Sequence, residues 1–170
     1  MQGDNEIQDL RKRSFPLLVG VTGLALGLSA VPAMHKSSAT ERDQARVAAL
    51  FDVDRALRAY ESLHGEPPSH VPDKTAGGWE TTLNGCFLDV LVRDGLLYER
   101  RLDPVNDEHL HFRYHRYEPE SYGTVEPFYV LALTGFEDEA TADHLLGIRR
   151  STRVGDRDWS LEYPLVLTSR

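Results

Sequence analysis

The chain has 170 residues, with 27 Asp and Glu against 19 Lys and Arg and a formal net charge of −8 at pH 7. This length suffices for one domain with a hydrophobic core, and the acidic balance argues against nucleic acid as a partner, because phosphates attract a basic surface. The single cysteine, Cys86, excludes an intramolecular disulfide and a thiolate metal cluster. Its setting between Gly85 and Phe87 is typical of a small buried hydrophobe, with a reactive or intermolecular thiol as the alternative.

The first predicted element is an uncharged run of 20 residues, 15–34, which follows the cations Arg11, Lys12 and Arg13. At about 1.5 Å per residue, a helix of this length spans the roughly 30 Å hydrocarbon core of a bilayer. Because the cations precede the run, the positive-inside rule places the first residues in the cytoplasm and everything after Met34 outside it. The sequence therefore predicts a single membrane crossing.

Small residues and proline dilute this apolar run, and such residues let helix backbones approach closely. The positions that we assign to helix packing, with the proline as a kink, are Gly20, Gly23, Gly27 and Pro32. A removable signal peptide is the competing interpretation, because Val31 and Ala33 in "AVPA" are small residues ahead of a cut.

An amphipathic helix is predicted next, over 40–64. Apolar residues recur there at steps of three and four and so share one face; they are Val47, Leu50, Val53, Leu57, Tyr60 and, at the end, His64. Gly65 and three following prolines predict where the helix ends. The segment "HKSSAT", residues 35–40, joins the apolar run to this helix and includes no Gly or Pro, which favours one continuous helical rod.

A shorter helix is predicted within "GGWETTLNGCFLDVLVRDGLL", where Leu83, Phe87, Leu88, Leu91 and Val92 have helical spacing and Gly95 ends the element. Pro104 and Asn106 mark a turn. The segments "HLHFRYHRYE", "FYVLALTGFE" and "SLEYPLVLTS" then have the alternation or the β-branched and aromatic content of strands. This order predicts an α+β fold in which an antiparallel meander packs one face on the long helix.

Together these elements resemble the type IV pilin and type II secretion pseudopilin family. The resemblance rests on the order of an apolar helix, the helical "DVDRALRAYESLHGEPP", a short second helix around Trp79, the Asp-Pro turn "RLDPVNDEHLHFRYHRY", and the strand "YVLALTGFED". It implies a cytoplasmic leader over 1–14, a transmembrane and assembly helix over 15–36, and an extracytoplasmic α+β domain over 37–170. The implied function is that of a structural subunit of a pilus or pseudopilus, anchored in the inner membrane.

The resemblance also assigns partners and a processing site. The implied partners are other pilin-like subunits, the membrane assembly platform, membrane lipid and a prepilin peptidase, which in this family cuts after a glycine and leaves a methylated phenylalanine. Here Ser14 stands in place of the glycine and Phe15 keeps its position. A chain that retains its leader as a simple anchor is the alternative that Ser14 leaves open. Val19 stands where the family has a glutamate, which is the pattern of a minor or tip subunit.

Two groups of side chains are candidate metal ligands. His109, His111 and His115 share one face of a predicted strand, but a strand spreads the first and last about 20 Å apart, too far for one ion. A polar sheet face is the favoured interpretation. Asp156 and Asp158 in "GDRDW" suit calcium, which prefers carboxylate oxygens, and they resemble the end of the calcium loop of major pseudopilins. An ordinary solvated turn is the alternative there.

The charge run "FEDEATAD" offers Glu137 or Asp138 as additional calcium ligands, although such a run is usually a solvated face. For catalysis the sequence has no Gly-x-Ser-x-Gly elbow, no phosphate-binding loop and no His-Glu-x-x-His helix. It therefore favours a structural role over an enzyme. A membrane-anchored or secreted binding domain that does not form filaments is the second functional hypothesis.

Overall fold

The structure is a computed structural model that describes residues 38–74, 76–145 and 152–169. This part of the chain is α+β. The elements in chain order are α1 (Ala39–His64), β1 (Glu80–Thr81), α2 (Asp89–Arg93), β2 (Phe112–Tyr117), β3 (Phe128–Leu133), α3 (Glu139–Leu145), β4 (Arg153–Val154), β5 (Arg157–Asp158) and β6 (Leu165–Thr168). The four-stranded antiparallel sheet has the order β1-β2-β3-β6, while β4 and β5 form a separate hairpin. The described residues also include two single-turn 3₁₀ helices, Ser121–Gly123 and Trp159–Leu161.

Helix α1 begins at Ala39 because Ser38 caps it. The Ser38 backbone is extended, its hydroxyl accepts the N–H of Glu41 at 3.2 Å, and the Glu41 carboxylate accepts the N–H of Ser38 at 2.9 Å. Such a capping box satisfies two N–H groups that have no partner within the helix. The prediction of an uninterrupted rod is therefore wrong at Ser38. The predicted end is confirmed, since Gly65 is left-handed and its N–H donates to the Glu61 carbonyl.

One face of α1 forms the main hydrophobic core with the sheet. Val47, Leu50, Val53 and Leu57 are buried as predicted, and Tyr60 is partly buried. Their partners on the sheet are the alternate residues of three strands, Phe112, Tyr114, Tyr129, Leu131, Leu133, Leu165 and Leu167. His64 departs from the prediction, because it is exposed and lies 3.3 Å from the carboxylate of Asp94.

The predicted second helix is much shorter than its apolar spacing indicated. Only Asp89–Arg93 is helical, whereas Glu80–Thr81 pairs with β2 as strand β1. The buried Glu80 carboxylate accepts the backbone N–H groups of Val71 at 2.9 Å and Leu88 at 2.6 Å, which holds the chain in a turn ahead of α2. Phe87, Leu88 and Leu91 enter the core as predicted, Val92 is partly buried and Leu83 is 45% exposed, because these residues do not share one helix face.

The three predicted strands are confirmed as β2, β3 and β6, and all their pairings are antiparallel. All six residues of β3 are buried, because the sheet is covered on both faces. Helix α1 covers one face, and the segment from the β4–β5 hairpin to Tyr163 covers the other around Trp159. The second covered face was not predicted from the sequence.

Candidate functional site

The residues that the family resemblance assigns to processing and helix packing lie outside the described part of the chain. They are Ser14, Phe15, Gly20, Gly23, Gly27 and Pro32, together with Val19. Their roles stay predictions. Within residues 38–74, 76–145 and 152–169, no helix combines the length and the apolar character needed to cross a membrane.

The first turns of α1 carry a buried ion network that sequence reasoning missed. The Arg46 side chain is fully buried; its Nε lies 2.9 Å from both carboxylate oxygens of Asp103, and its Nη1 donates to Asp43 at 2.9 Å. Burial raises the pKa of Asp103, while hydrogen bonds from two backbone N–H groups and the Arg46 charge act in the opposite direction. Since an isolated buried charge is costly, these three side chains depend on one another.

The same network binds the segment that follows β3. Both carboxylate oxygens of Asp43 accept the backbone N–H of Glu137, and one also accepts that of Asp138 at 2.9 Å. Arg42 forms a bidentate pair with Glu137, at 2.8 and 2.6 Å. We refer to this group as the N-terminal clamp, and its members are Thr40, Arg42, Asp43, Arg46, Asp103, Glu137 and Asp138. Its hydrogen bonds and ion pairs tie the first turns of α1 to two distant parts of the chain.

Two acidic members of the clamp, Glu137 and Asp138, belong to the charge run that the sequence predicts to be solvated. Glu137 is instead mostly buried at its side chain, and the hydrogen bond from Arg42 lowers its pKa. The Asp138 carboxylate accepts hydrogen bonds from Thr141 at 2.8 Å and Thr40 at 2.9 Å, and these bonds lower its pKa. Both residues keep intermediate exposure, so the interpretation of a solvated face holds only in part, because α1 supplies partners for both side chains.

The calcium candidates lie in the β4–β5 hairpin. Asp156 is exposed in the hairpin turn, whereas Asp158 caps the following 3₁₀ helix. The Asp158 carboxylate accepts the hydroxyl of Thr152 at 2.9 Å and both the N–H and the hydroxyl of Ser160. In the parts of the chain that the structure describes, no three or more His, Cys, Asp or Glu side chains are grouped so that they could hold a metal ion.

The three histidines do not share a strand face, because β2 begins only at Phe112. His109 belongs to the preceding turn, where its backbone N–H donates to Asp107. His111 is buried; its Nδ1 lies 3.1 Å from the Asp107 carbonyl and its Nε2 accepts Arg113 Nε at 3.1 Å. His115, within β2, contacts the His70 ring in a tilted arrangement, with the ring centroids 4.1 Å apart. The prediction of a polar sheet face is thus wrong.

His115 belongs to a group of rings on the sheet face opposite α1. We refer to it as the outer aromatic cluster, and its members are Trp79, His115, Tyr117, Tyr122, Trp159 and Tyr163. Trp159 is fully buried at its centre, and Trp79 and Tyr122 meet it edge-on at centroid distances of 6.2 and 5.5 Å. Arg157 lies over Trp159, 4.0 Å from the ring centroid. This geometry is that of a second, aromatic core.

Cys86 is a free thiol in the turn between β1 and α2. Its backbone N–H donates to the Asn84 carbonyl at 2.8 Å, and the residue is half-buried. The prediction of a buried small hydrophobe is therefore met only in part.

Comparison with known proteins returns no match to a family model, to a curated protein or to a solved structure. The functional argument therefore rests on the residues of this chain. Among the described residues its main features are the N-terminal clamp, the outer aromatic cluster and the solvent-facing side of α1.

Proposed function

We propose that the chain is a membrane-tethered structural subunit of the pilin or pseudopilin type, with the pattern of a minor or tip subunit. The observation that carries the proposal is the placement of α1. This helix starts only four residues after the apolar run 15–34, packs along its length on an antiparallel meander and is tied to the sheet end by the N-terminal clamp. An apolar assembly helix followed by such a head is the architecture that this function requires.

The clamp supports a role in which the head is held through its first helix. Force applied to residues before Ser38 enters the head at the first turns of α1, where Arg46 and Asp43 bind segments around Asp103 and Glu137. Buried ion pairs resist separation, because pulling one partner away leaves the other charge buried and unpaired. We therefore assign to the clamp the task of transmitting load from the assembly helix to the sheet.

The proposed partners are other pilin-like subunits, the membrane assembly platform, a prepilin peptidase and membrane lipid. Phe15 is the proposed mature N-terminus, and Gly20, Gly23, Gly27 and Pro32 are the proposed packing positions of the assembly helix. With Val19 in place of a carboxylate, the helix has no buried charge to pair with a neighbour's amine. This supports a minor or tip position over that of a major subunit.

The mature N-terminus tests the proposal. Mass spectrometry of the chain from cells that contain a prepilin peptidase is expected to find N-methyl-Phe15. The variant Ser14→Gly restores the glycine of the family pattern and is expected to increase the processed fraction. An intact Met1 in both chains, with the peptidase active on a control substrate, would rule out prepilin processing. The chain would then keep its leader as a simple membrane anchor.

A secreted or anchored binding domain is the second candidate, and it is favoured by the capping of α1 by Ser38. The capping box satisfies N–H groups at the start of α1 with the side chains of Ser38 and Glu41, and residues Lys36–Arg170 form one compact unit. A first helix that is capped at its own start suits a domain released after "AVPA". A mature chain that begins at Met34 in the same mass spectrum would show a secreted protein, as this candidate requires, and would exclude the filament subunit.

A further inference from the structure

The side of α1 that faces away from the sheet carries a groove of about 490 Å³. Ala56 and Ala59 of α1 form one wall, and Leu96 and Leu97 from the segment after α2 form the other. Arg55 and Arg101 lie at its rim beside Tyr98, which is 97% exposed. We refer to this surface as the arginine groove.

The arginine groove carries one tyrosine and two arginines, and both residue types are enriched at protein interfaces. Arg55 is paired with Asp52 at 3.3 Å but its side chain remains 78% exposed, and Arg101 is paired with the exposed Glu99 at 3.2 Å and lies 3.8 Å from the Asp52 carboxylate. Exposed pairs of this kind contribute about 0–1 kcal/mol, so the arginines can exchange partners at low cost. The groove can therefore accept a partner that presents carboxylates around an apolar residue.

The loop between β2 and β3 has this chemistry. Residues 118–126 include the exposed carboxylates Glu118, Glu120 and Glu126 and no Lys or Arg, and Val125 beside them is 89% exposed. The loop is also fixed in shape, since Glu120 N–H donates to the Thr124 carbonyl at 2.8 Å and the β4–β5 hairpin donates to it through Asp156. A preformed loop loses little conformational entropy when it docks.

The groove and the loop lie on different sides of α1. Residues three and four apart share a helix face, so Asp52, Arg55 and Ala59 form one side. Arg58 and Glu61 lie on another side, where Arg58 Nη2 donates to the Thr168 carbonyl at the end of β6. Burial raises the pKa of Glu61, and the nearby Glu126 carboxylate of the loop raises it further. A contact between the loop and the groove therefore joins two different surfaces.

We propose that the 118–126 loop of one copy docks into the arginine groove of a second copy, with Val125 against Leu97 and Tyr98 and with Glu126 beside Arg55. In such a head-to-tail pair, one copy keeps its groove free and the other copy keeps its loop free. A contact of this type extends into an open helical assembly when its rotation does not close a ring. The inference rests on the proposed function, and of the two positions proposed there it selects a minor subunit present in several copies over a single tip subunit.

Disulfide trapping in membranes tests the contact with the full chain in a Cys86→Ser background. Two differently tagged copies are produced together, one with Tyr98→Cys and the other with Val125→Cys, and a cross-linked pair carrying both tags is expected. The matched control pairs Tyr98→Cys with Leu161→Cys, which is equally accessible at 85% exposure but lies outside the loop. A yield no higher than that of this control would overturn the proposal.

Charge exchange gives a second test, in which the two cysteines stay the same and only the proposed ion pair is changed. In the cysteine copies, Arg55→Glu beside Tyr98→Cys, or Glu126→Arg beside Val125→Cys, is expected to lower the yield several-fold, and both changes together to restore it. Failure of the double change to restore the yield would refute the proposed pairing. The mature N-terminus is measured on the same samples, so N-methyl-Phe15 without cross-links rejects the contact alone, and cross-links on an uncut chain reject the prepilin function alone.

Discussion

The two faces of the sheet are built in different ways. The α1 face is mostly aliphatic and joins one long helix to alternate residues of β2, β3 and β6. The opposite face is aromatic and collects Trp79, His115, Tyr117, Tyr122, Trp159 and Tyr163 from several short segments. The first face follows from the periodicity of long elements, whereas the second depends on turns that bring separate rings together. We therefore expect the α1 face to be destabilised most by changes in its packing and in the N-terminal clamp, and the aromatic face by changes in the β4–β5 hairpin.

The largest effect is expected where the α1 face ends in the N-terminal clamp. Arg46→Met removes the cation and leaves Asp43 and Asp103 buried without it, so the free energy of unfolding should fall by about 5 kcal/mol. Urea unfolding of the parent and variant chains, followed by circular dichroism, measures this loss. Arg55→Met is the control on the same helix, because its exposed pair contributes less than about 1 kcal/mol. Equal losses in the two variants would mean that the clamp does not stabilise the α1 face.

The aromatic face is tested at its centre. Trp159→Ala should lower the free energy of unfolding by about 3–4 kcal/mol, because the ring is fully buried and its neighbours meet it edge-on. Leu57→Ala makes the corresponding cavity on the α1 face and should cost about 2–3 kcal/mol. Unfolding curves followed by tryptophan fluorescence and by circular dichroism compare the faces. A Trp159→Ala loss below 1 kcal/mol would show that the aromatic face is a loose cover and not a second core.

The α1 face was also the part of the fold that sequence reasoning predicted. Helix α1 and strands β2, β3 and β6 are long enough for a 3.6- or two-residue pattern to repeat, and their ends carry capping or turn residues such as Gly65. Strand β1 was missed because two residues show no period. The apolar spacing around Leu83 indicated a helix, but the contacts of Glu80 decide that segment, and a buried carboxylate with backbone partners leaves no sequence pattern.

The candidate sites were less predictable than the fold. The N-terminal clamp joins Arg46 to Asp103, 57 positions away, and one sequence offers no signal for such a pairing. One local signal was available but not used: Ser38 followed by Glu41 is the capping-box pattern that ends the continuous rod. The histidines were misassigned because the start of β2 was set too early, and strand boundaries determine which side chains share a face.

A smaller effect is expected where the hairpin closes over the aromatic face. Gly155 has φ +59°, and a Cβ there would overlap the carbonyl of Tyr122, which belongs to the aromatic cluster. Gly155→Ala should therefore cost about 2–3 kcal/mol, from the left-handed backbone and the displaced hairpin. Gly123→Ala is the matched control, with φ +75° and open space around the added methyl group, and should cost about 1 kcal/mol. Near-ultraviolet circular dichroism should change for Gly155→Ala alone, and identical spectra and stabilities would contradict the close approach.

The smallest expected effect is a pH dependence of stability that comes from His115 of the aromatic face. Burial, reinforced by His70, lowers the pKa of His115 from 6.5 to about 4. Between these values the unfolded state binds the proton and the folded state does not, so stability falls as pH falls through this window and is unaffected above it. Because the His115 ring is only half-buried, solvent screening reduces the expected loss of stability to about 1 kcal/mol. His115→Phe keeps the ring and removes the titration, so its stability at pH 4.5 relative to pH 7 should exceed that of the parent by this amount. Parallel pH curves would show that His115 is charged in the folded protein, and that the aromatic face is open to water at this end.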